Sequence, residues 1–400
     1  MSELESHEWS PERLHRQLRR GDPFFVFDVR NEDEFERHRI EGREELPTVN
    51  VPYFEMLEAV DSDDLVESFA AFLSKEWAAR LPREQPILAV CAKGDTSAYV
   101  AEALRRLDLD AANLAGGIGA WGDHYDVEAI FESERLTIHQ IARPARGCLS
   151  YFLSSHRQGA VVDPLRHVEV YERLAAELGV DIELVLDTHG HADHISGGRR
   201  LADRTGAPYH LHPYDAIHPI DVLPATIDYE PLRDGQRLEL GPIGIELLHI
   251  PGHTLGNLAC RVDGRYLLTG DSVFIGSIAR PDLGGRGDTW APLHYRSLRR
   301  LLELPDDTLV LPGHFASLSE AGERGLFSAP LGSLRKTNRD LALAAGPEDE
   351  FVRHILASLP EFPDEYVEIK RVNAGLSAPT EDEASELELG KNVCALAAAG

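Results

Sequence analysis

Three imidazoles and a carboxylate fall within six consecutive residues, His189-Gly190-His191-Ala192-Asp193-His194, directly after the apolar run Ile182 to Leu186. Imidazole nitrogens and carboxylate oxygens are the usual protein ligands of zinc and iron. A strand that ends in a tight loop can aim several of them at one point. A lone loop histidine is ordinarily solvated, whereas H-x-H-x-D-H behind an apolar strand reads as a metal loop. Three later apolar runs end in one ligand-type residue beside glycine. Ile245 to Ile250 leads to Pro251-Gly252-His253, Tyr266 to Thr269 leads to Gly270-Asp271, and Thr308 to Leu311 leads to Pro312-Gly313-His314. Each alone is more often structural. Their recurrence after the metal loop points to one buried site, with glycine letting the backbone come close.

A second candidate centre is Cys91, which follows Ile87-Leu88-Ala89-Val90 and precedes a helix expected near 97–107, with Val100, Leu104 and Leu107 on one face. The carboxyl end of a strand is where functional groups gather in a parallel sheet. The loop Cys91-Ala92-Lys93-Gly94-Asp95-Thr96-Ser97 could wrap the sulfur in backbone N–H groups and hold an anionic persulfide. A cysteine after an apolar strand is otherwise a small core residue. Lys93 and Gly94 favour the catalytic loop.

The elements that position these groups can be read from periodicity. Residues 9–20 predict a helix, with Ser10 as cap, Pro11 in the first turn, and Leu14 and Leu18 four apart. Phe24 to Phe27 predicts a strand buried on both faces. Strand, helix and strand at this spacing give an α/β domain over 1–125. Residues 126–135 carry charge without apolar periodicity and are expected to form a linker. Two strands, Cys148 to Leu153 and Gly159 to Val162, open a second domain over 136–335. Asp163 ends the later strand, where it can support the site or simply terminate the strand. The last segment, 336–400, predicts a helical extension packed on the second domain. Pro347 to Glu350 opens one helix there, with Phe351, Ile355 and Leu359 on its face, and Thr380 with Glu383 forms a capping box for another. Cys394 is expected to be buried packing. No internal repeat is visible.

Composition narrows the partners. A 400-residue chain exceeds a single core, and two or three domains are expected. The net charge of −28 argues against nucleic acid, which needs a basic surface. Five lysines stand against 35 arginines, and this acidic, lysine-poor balance resembles that of a halophilic protein, whose carboxylate repulsion is screened by salt. No signal peptide and no membrane span are expected. The four scattered cysteines form no CxxC pair, which suits a reducing cytoplasm.

Over about 8–125 the chain resembles the rhodanese family of sulfurtransferases. The resemblance rests on Phe27-Asp28-Val29-Arg30 with Glu34-Phe35, on His38-Arg39-Ile40-Glu41-Gly42 with Asn50-Val51-Pro52, on the Cys91 loop, and on Leu114 to Trp121. It implies that Cys91 carries sulfane sulfur within a loop that includes Lys93, Gly94, Thr96 and Ser97. Thr96 stands where many members have arginine. Over about 136–335 the chain is similar to the metallo-β-lactamase superfamily. That implies an αββα sandwich with metals at one edge and seven candidate ligands: His189, His191, Asp193, His194, His253, Asp271 and His314.

Within that superfamily the chain looks most like persulfide dioxygenases. The features are Ala192 with Ile195-Ser196-Gly197, Arg280-Pro281-Asp282-Leu283, and the tail Glu386 to Ala395. This branch implies one Fe(II) per chain on His189, His253 and Asp271, the two-histidine, one-carboxylate arrangement of non-haem oxygenases. His191, Asp193, His194 and His314 would orient ligands and substrate or hold a second metal. Arg280, fixed by Asp282, would meet an anionic thiol or steady the pocket, or the two would form a purely structural ion pair. The implied reaction oxidises a small thiol persulfide with O2 to sulfite and thiol, coupled to sulfane-sulfur transfer at Cys91. The alternative is a thioester hydrolase with two Zn per chain and a non-catalytic or sulfur-sensing rhodanese domain. Neither reading calls for nucleic acid or membrane, and a homodimer is an open option.

Overall fold

The computed structural model describes residues 7–58, 64–322 and 324–396. The first domain is a five-stranded, all-parallel sheet of β1 (Glu8–Trp9), β2 (Phe25–Asp28), β3 (Thr48–Asn50), β4 (Ile87–Val90) and β5 (Ala111–Leu114), in the order β1-β5-β4-β2-β3. β4 is buried at every position, as a central parallel strand covered on both faces must be. The helix Pro11–Arg20 begins where its cap predicts, with Ser10 Oγ accepting from Arg13 N at 3.3 Å.

The second domain is a sandwich of two sheets. The first holds β6 (Asp126–Glu132), β7 (Thr137–Arg143), β8 (Cys148–Ser155), β9 (Gln158–Val162), β10 (Asp181–Leu186), β11 (Tyr209–Leu211) and β12 (Glu230–Pro231), in consecutive order. The second holds β13 (Arg237–Leu240), β14 (Ile243–His249), β15 (Leu258–Val262), β16 (Tyr266–Gly270), β17 (Leu309–Pro312) and β18 (Ala329–Pro330). Side chains alternate between the layers with the period of two that a strand imposes. Leu149, Tyr151 and Leu153 of β8 meet Ile243, Ile245 and Leu247 of β14 in the central core. Phe152 and Val161 face outward onto the helices Glu169–Leu178 and Gly198–Thr205. Leu267 and Val310 face outward onto the helices Gly287–Leu301 and Glu348–Ala357. The layers are therefore helix, sheet, sheet, helix.

Residues 126–135 do not run as a free linker. Asp126–Glu132 forms the edge strand β6, antiparallel to β7. The charges that hid it are used across the domain boundary: Arg19 Nη1 reaches Asp126 Oδ2 at 3.2 Å and Glu128 Oε1 at 2.7 Å. The central core also continues into the first domain through Leu14, Leu18 and Trp121.

The C-terminal segment is helical, and Thr380 with Glu383 closes the expected capping box. Cys394 is fully buried. Among the described residues no helix is long and apolar enough to cross a membrane.

Candidate metal centre

Strand direction brings the ligands together. β9 and β10 are parallel. β14 is antiparallel to β15, β15 to β16, and β16 is parallel to β17. Hence β14, β16 and β17 point one way, and their carboxyl ends deliver His253, Asp271 and His314 to one edge of the sandwich. There they meet the loop that follows β10. Gly270 makes this approach possible: its φ is +47°, and a Cβ there would sit 2.4 Å from Thr188 Oγ1. The two sheets touch at that point.

Three of these groups form one candidate site. The ligand atoms of His189, His253 and Asp271 lie within 4.8 Å of one another, and all three residues are fully buried. His253 Nε2 is 3.3 Å and His189 Nε2 3.9 Å from Asp271 Oδ2. None of these three atoms has a hydrogen-bond partner among the described residues. Buried polar atoms left unpaired are costly, so three that converge would fit a bound cation.

The opposite ring nitrogens explain the orientation. His253 Nδ1 lies 2.7 Å from the Arg280 carbonyl, which can only accept, so the proton sits on Nδ1 and the Nε2 lone pair is free. His189 Nδ1 lies 3.0 Å from Thr188 Oγ1, whose hydroxyl contacts both Asp163 carboxylate oxygens at 2.9 Å. Asp163 holds this position from a left-handed turn, φ +53°. Burial, with His191 and His253 alongside, holds His189 well below the ordinary imidazole range. Burial also lowers His253, against the pull of the Asp271 carboxylate. Burial would raise Asp271, yet the His314 imidazole outweighs it and keeps the carboxylate low. The trio is two neutral imidazoles and one carboxylate.

The remaining expected ligands lie close to carboxylates, and His191 Nε2, His194 Nε2 and His314 Nε2 also lack hydrogen-bond partners among the described residues. His314 bridges two carboxylates, with Nδ1 2.6 Å from Asp271 Oδ1 and Nε2 2.7 Å from Asp193 Oδ2. Burial opposes its charge, but Asp193 and Asp271 hold it well above the usual range. His194 Nδ1 lies 3.1 Å from Asp193 Oδ1, and against burial that carboxylate raises it to about 8. His191 turns away from this second group: its Nε2 is 3.3 Å from Asp163 Oδ1 and 3.7 Å from Asp187 Oδ1. Cys148 joins that group instead. Its Sγ is 3.4 Å from Asp193 Oδ2, and Cys148, Asp193, His194 and His314 form a second cluster of ligand atoms within 4.8 Å. The sequence signal was a cysteine at the start of a buried strand, which by itself reads as packing.

Arg280 and Asp282 do not form the substrate contact expected of them. Arg280 is fully buried, and all of its N–H donors are engaged. Nε and Nη2 grip Asp282 at 2.6 and 2.8 Å, Nη1 reaches Glu361 O and Val393 O, and Nη2 also reaches Pro360 O. The pair clamps the C-terminal segment to the sandwich, and the Arg280 carbonyl steadies His253.

That segment also supports the metal loop, which local sequence could not show. Asn373 Nδ2 donates to His191 O at 3.0 Å and His194 O at 2.9 Å. Lys370 Nζ donates to Gly190 O at 2.7 Å. Glu388 Oε1 accepts from Ile195 N at 2.8 Å.

In the first domain Cys91 follows β4, and the helix Asp95–Arg106 starts behind it. Gly94 N lies 3.0 Å and Ser97 Oγ 3.1 Å from the sulfur. Gly117, at φ +62°, has no room for a Cβ, which would sit 2.3 Å from Cys91 O. Of the expected loop, Gly94 and Ser97 contact the sulfur. Lys93 is exposed, and Thr96 is half-buried without a hydrogen bond to the sulfur.

Comparison with known proteins agrees with both halves. The family model for the metallo-beta-lactamase superfamily matches residues 143–314, and the model for the rhodanese-like domain matches residues 10–124. An uncharacterized protein of Mycobacterium leprae is 34% identical over 201 residues, covering 44% of this chain and 90% of its own length. A hydroxyacylglutathione hydrolase of Aeromonas hydrophila is 37% identical over 159 residues, 40% of this chain, which spans only 58% of that enzyme. A crystal structure of a metallo-beta-lactamase from Staphylococcus aureus has a TM-score of 0.54 at 26% identity, covering 61% of this chain and 74% of that one. The fold implies metal binding and a small-molecule substrate.

Proposed function

Because the chain belongs to the metallo-beta-lactamase superfamily and carries a rhodanese-like domain ahead of it, we propose that it is an Fe(II)-dependent persulfide dioxygenase coupled to sulfane-sulfur transfer. The observation that carries this reading is the convergence of His189 Nε2, His253 Nε2 and Asp271 Oδ2, three buried atoms without partners. Two neutral imidazoles and a carboxylate on one face are the donor set of non-haem oxygenases. A ferrous ion bound there would supply open positions at which a persulfide sulfur and O2 meet. Overall, R–S–SH, O2 and water would give R–SH, sulfite and two protons, the outer sulfur losing the four electrons that O2 gains.

The chain's own residues supply the frame. Thr188 and the Arg280 carbonyl fix the two imidazoles. The His314 imidazole keeps Asp271 ionised. Burial excludes water. Lys370 and Asn373 hold the loop between His189 and His194 in place. In the other domain the Gly94 amide and the Ser97 hydroxyl would steady a Cys91 persulfide. Sulfane sulfur could then pass from Cys91 to a thiol carrier for oxidation, or to sulfite to make thiosulfate.

A second reading has its own support. Cys148, Asp193, His194 and His314 form a second cluster, and a thioester hydrolase by name is 37% identical over part of the chain. With Zn in both clusters the site would suit hydrolysis of a thiol ester. Metal analysis and oxygen uptake on anaerobically purified protein separate the two. The dioxygenase reading expects about one iron per chain and O2 consumption with a small-molecule persulfide. Two zinc per chain and no uptake would overturn it.

The role of Cys91 is tested separately. Cys91→Ala is expected to abolish thiocyanate formation from thiosulfate and cyanide while leaving O2 uptake with added persulfide near the wild-type rate. If the wild type forms no thiocyanate, the first domain is not a sulfurtransferase.

A further inference from the structure

Beside the metal loop lies a cavity of ≈ 280 Å³ whose wall includes Gly190, His191 and Lys370. Lys370 is 7% exposed. Its ammonium donates to the Gly190 carbonyl, and among the described residues no carboxylate lies within ion-pair distance of it. A buried cation with N–H groups to spare is costly unless an anion completes it.

The acidic groups in the same wall are engaged, except that Asp187 Oδ1 has no hydrogen bond and lies 3.7 Å from His191 Nε2. Asp215 accepts from Gly190 N, Thr254 Oγ1 and Gly256 N at 2.8, 2.6 and 2.8 Å. Asp187 Oδ2 accepts from Ser196 Oγ and Tyr209 OH at 2.6 and 2.7 Å. The rim carries the exposed Arg286 beside apolar groups. Tyr214 is 59% and Val222 72% exposed, both lining the cavity. Apolar side chains left in water at the mouth of a cavity mark a binding surface.

We propose that this cavity receives the organic part of the thiol carrier, and that the carrier is a small thiol with an apolar body and one anionic group held by Lys370. The assignment rests on the persulfide reading for the chemistry, but not for the binding. A zwitterionic peptide thiol such as glutathione would bring an ammonium that neither Lys370 nor Arg286 can pair, and amide groups against the apolar part of the rim. A carboxylate next to a short aromatic or alkyl body matches both ends of the cavity.

Trp290 lines the same cavity and is 4% exposed, so its emission can report an occupant. The test is equilibrium binding of 2-(mercaptomethyl)benzoate, benzyl mercaptan and glutathione to the anaerobic metal-loaded protein, with Trp290→Phe as the control that assigns the signal. The carboxylated aromatic thiol is expected to bind at least about tenfold tighter than the other two. Lys370→Met is expected to erase its advantage over benzyl mercaptan, and Lys370→Arg to keep that advantage. Metal content guards against a displaced loop. Glutathione binding as tightly, or a charge preference that survives Lys370→Met, would overturn the proposal. Binding as expected without O2 uptake from the matching persulfide would sink the dioxygenase reading and leave this pocket assignment standing.

Discussion

Replacing Asp271 by Ala is expected to strip the site of metal and abolish O2 uptake with persulfide, while thiocyanate formation at Cys91 continues. Asp271 is the only carboxylate of the trio, 3.3 Å from His253 Nε2, and its other oxygen is 2.6 Å from His314 Nδ1. Without it two neutral imidazoles remain, and His314 loses one of its two counter-charges. The loss should exceed the roughly 10–100-fold that removing an outer partner of a ligand costs. Thr188→Val supplies that smaller benchmark, because it deletes only the hydroxyl that orients His189. Metal per chain and O2 consumption are the readouts, with circular dichroism to show that the fold survives. An Asp271→Ala protein that keeps its metal and its O2 uptake would remove Asp271 from the site.

Glu388→Gln is expected to lower the stability of the fold by roughly 3 kcal/mol at pH 7. The carboxylate is fully buried, with Oε2 2.7 Å from Arg143 Nη1 and 2.9 Å from Arg166 Nε. Burial alone would raise it, but Arg143, Arg166 and Arg146 override burial and hold it at about 2, below its ordinary 4.5. A depressed carboxylate stabilises the folded chain fully above the unfolded value and loses that contribution as the pH falls through the folded one. The shift corresponds to about 3 kcal/mol at ~1.4 kcal/mol per unit. Urea unfolding should therefore show wild type and variant well apart at pH 7 and converging as the pH drops from about 4.5 toward 2. Equal stability at pH 7 would refute the assignment. Because Glu388 also accepts from Ile195 N, directly after His194, the variant should bind metal more weakly as well.

The candidate site was legible to the extent that its signals are local. A ligand beside glycine at the end of an apolar run is visible without partners, so His189, His253, Asp271 and His314 could be named together, and the Cys91 loop likewise. The layers came from the family resemblance, because β8 is buried at every position and shows no alternation of its own.

Other features depend on which distant segments meet. Asp126 and Glu128 read as linker charges until Arg19, more than a hundred residues earlier in the chain, accounts for them. Arg280 read as a substrate contact because an arginine's partners cannot be seen in sequence; five acceptors from Asp282 and the C-terminal segment claim it.

Residue types and spacing, with the family resemblance, thus pointed to the two domains and to the pool of candidate ligands. Packing decided how that pool divides. It placed His189, His253 and Asp271 in one cluster, turned His191 toward Asp163, and brought Cys148 to Asp193. It also set Lys370, Asn373 and Glu388 against the metal loop, from positions about 180 residues or more away in the chain. The physical reason is that a strand end specifies its own direction, whereas a helix such as Glu365–Asn373 acquires a role only from the surface on which it docks.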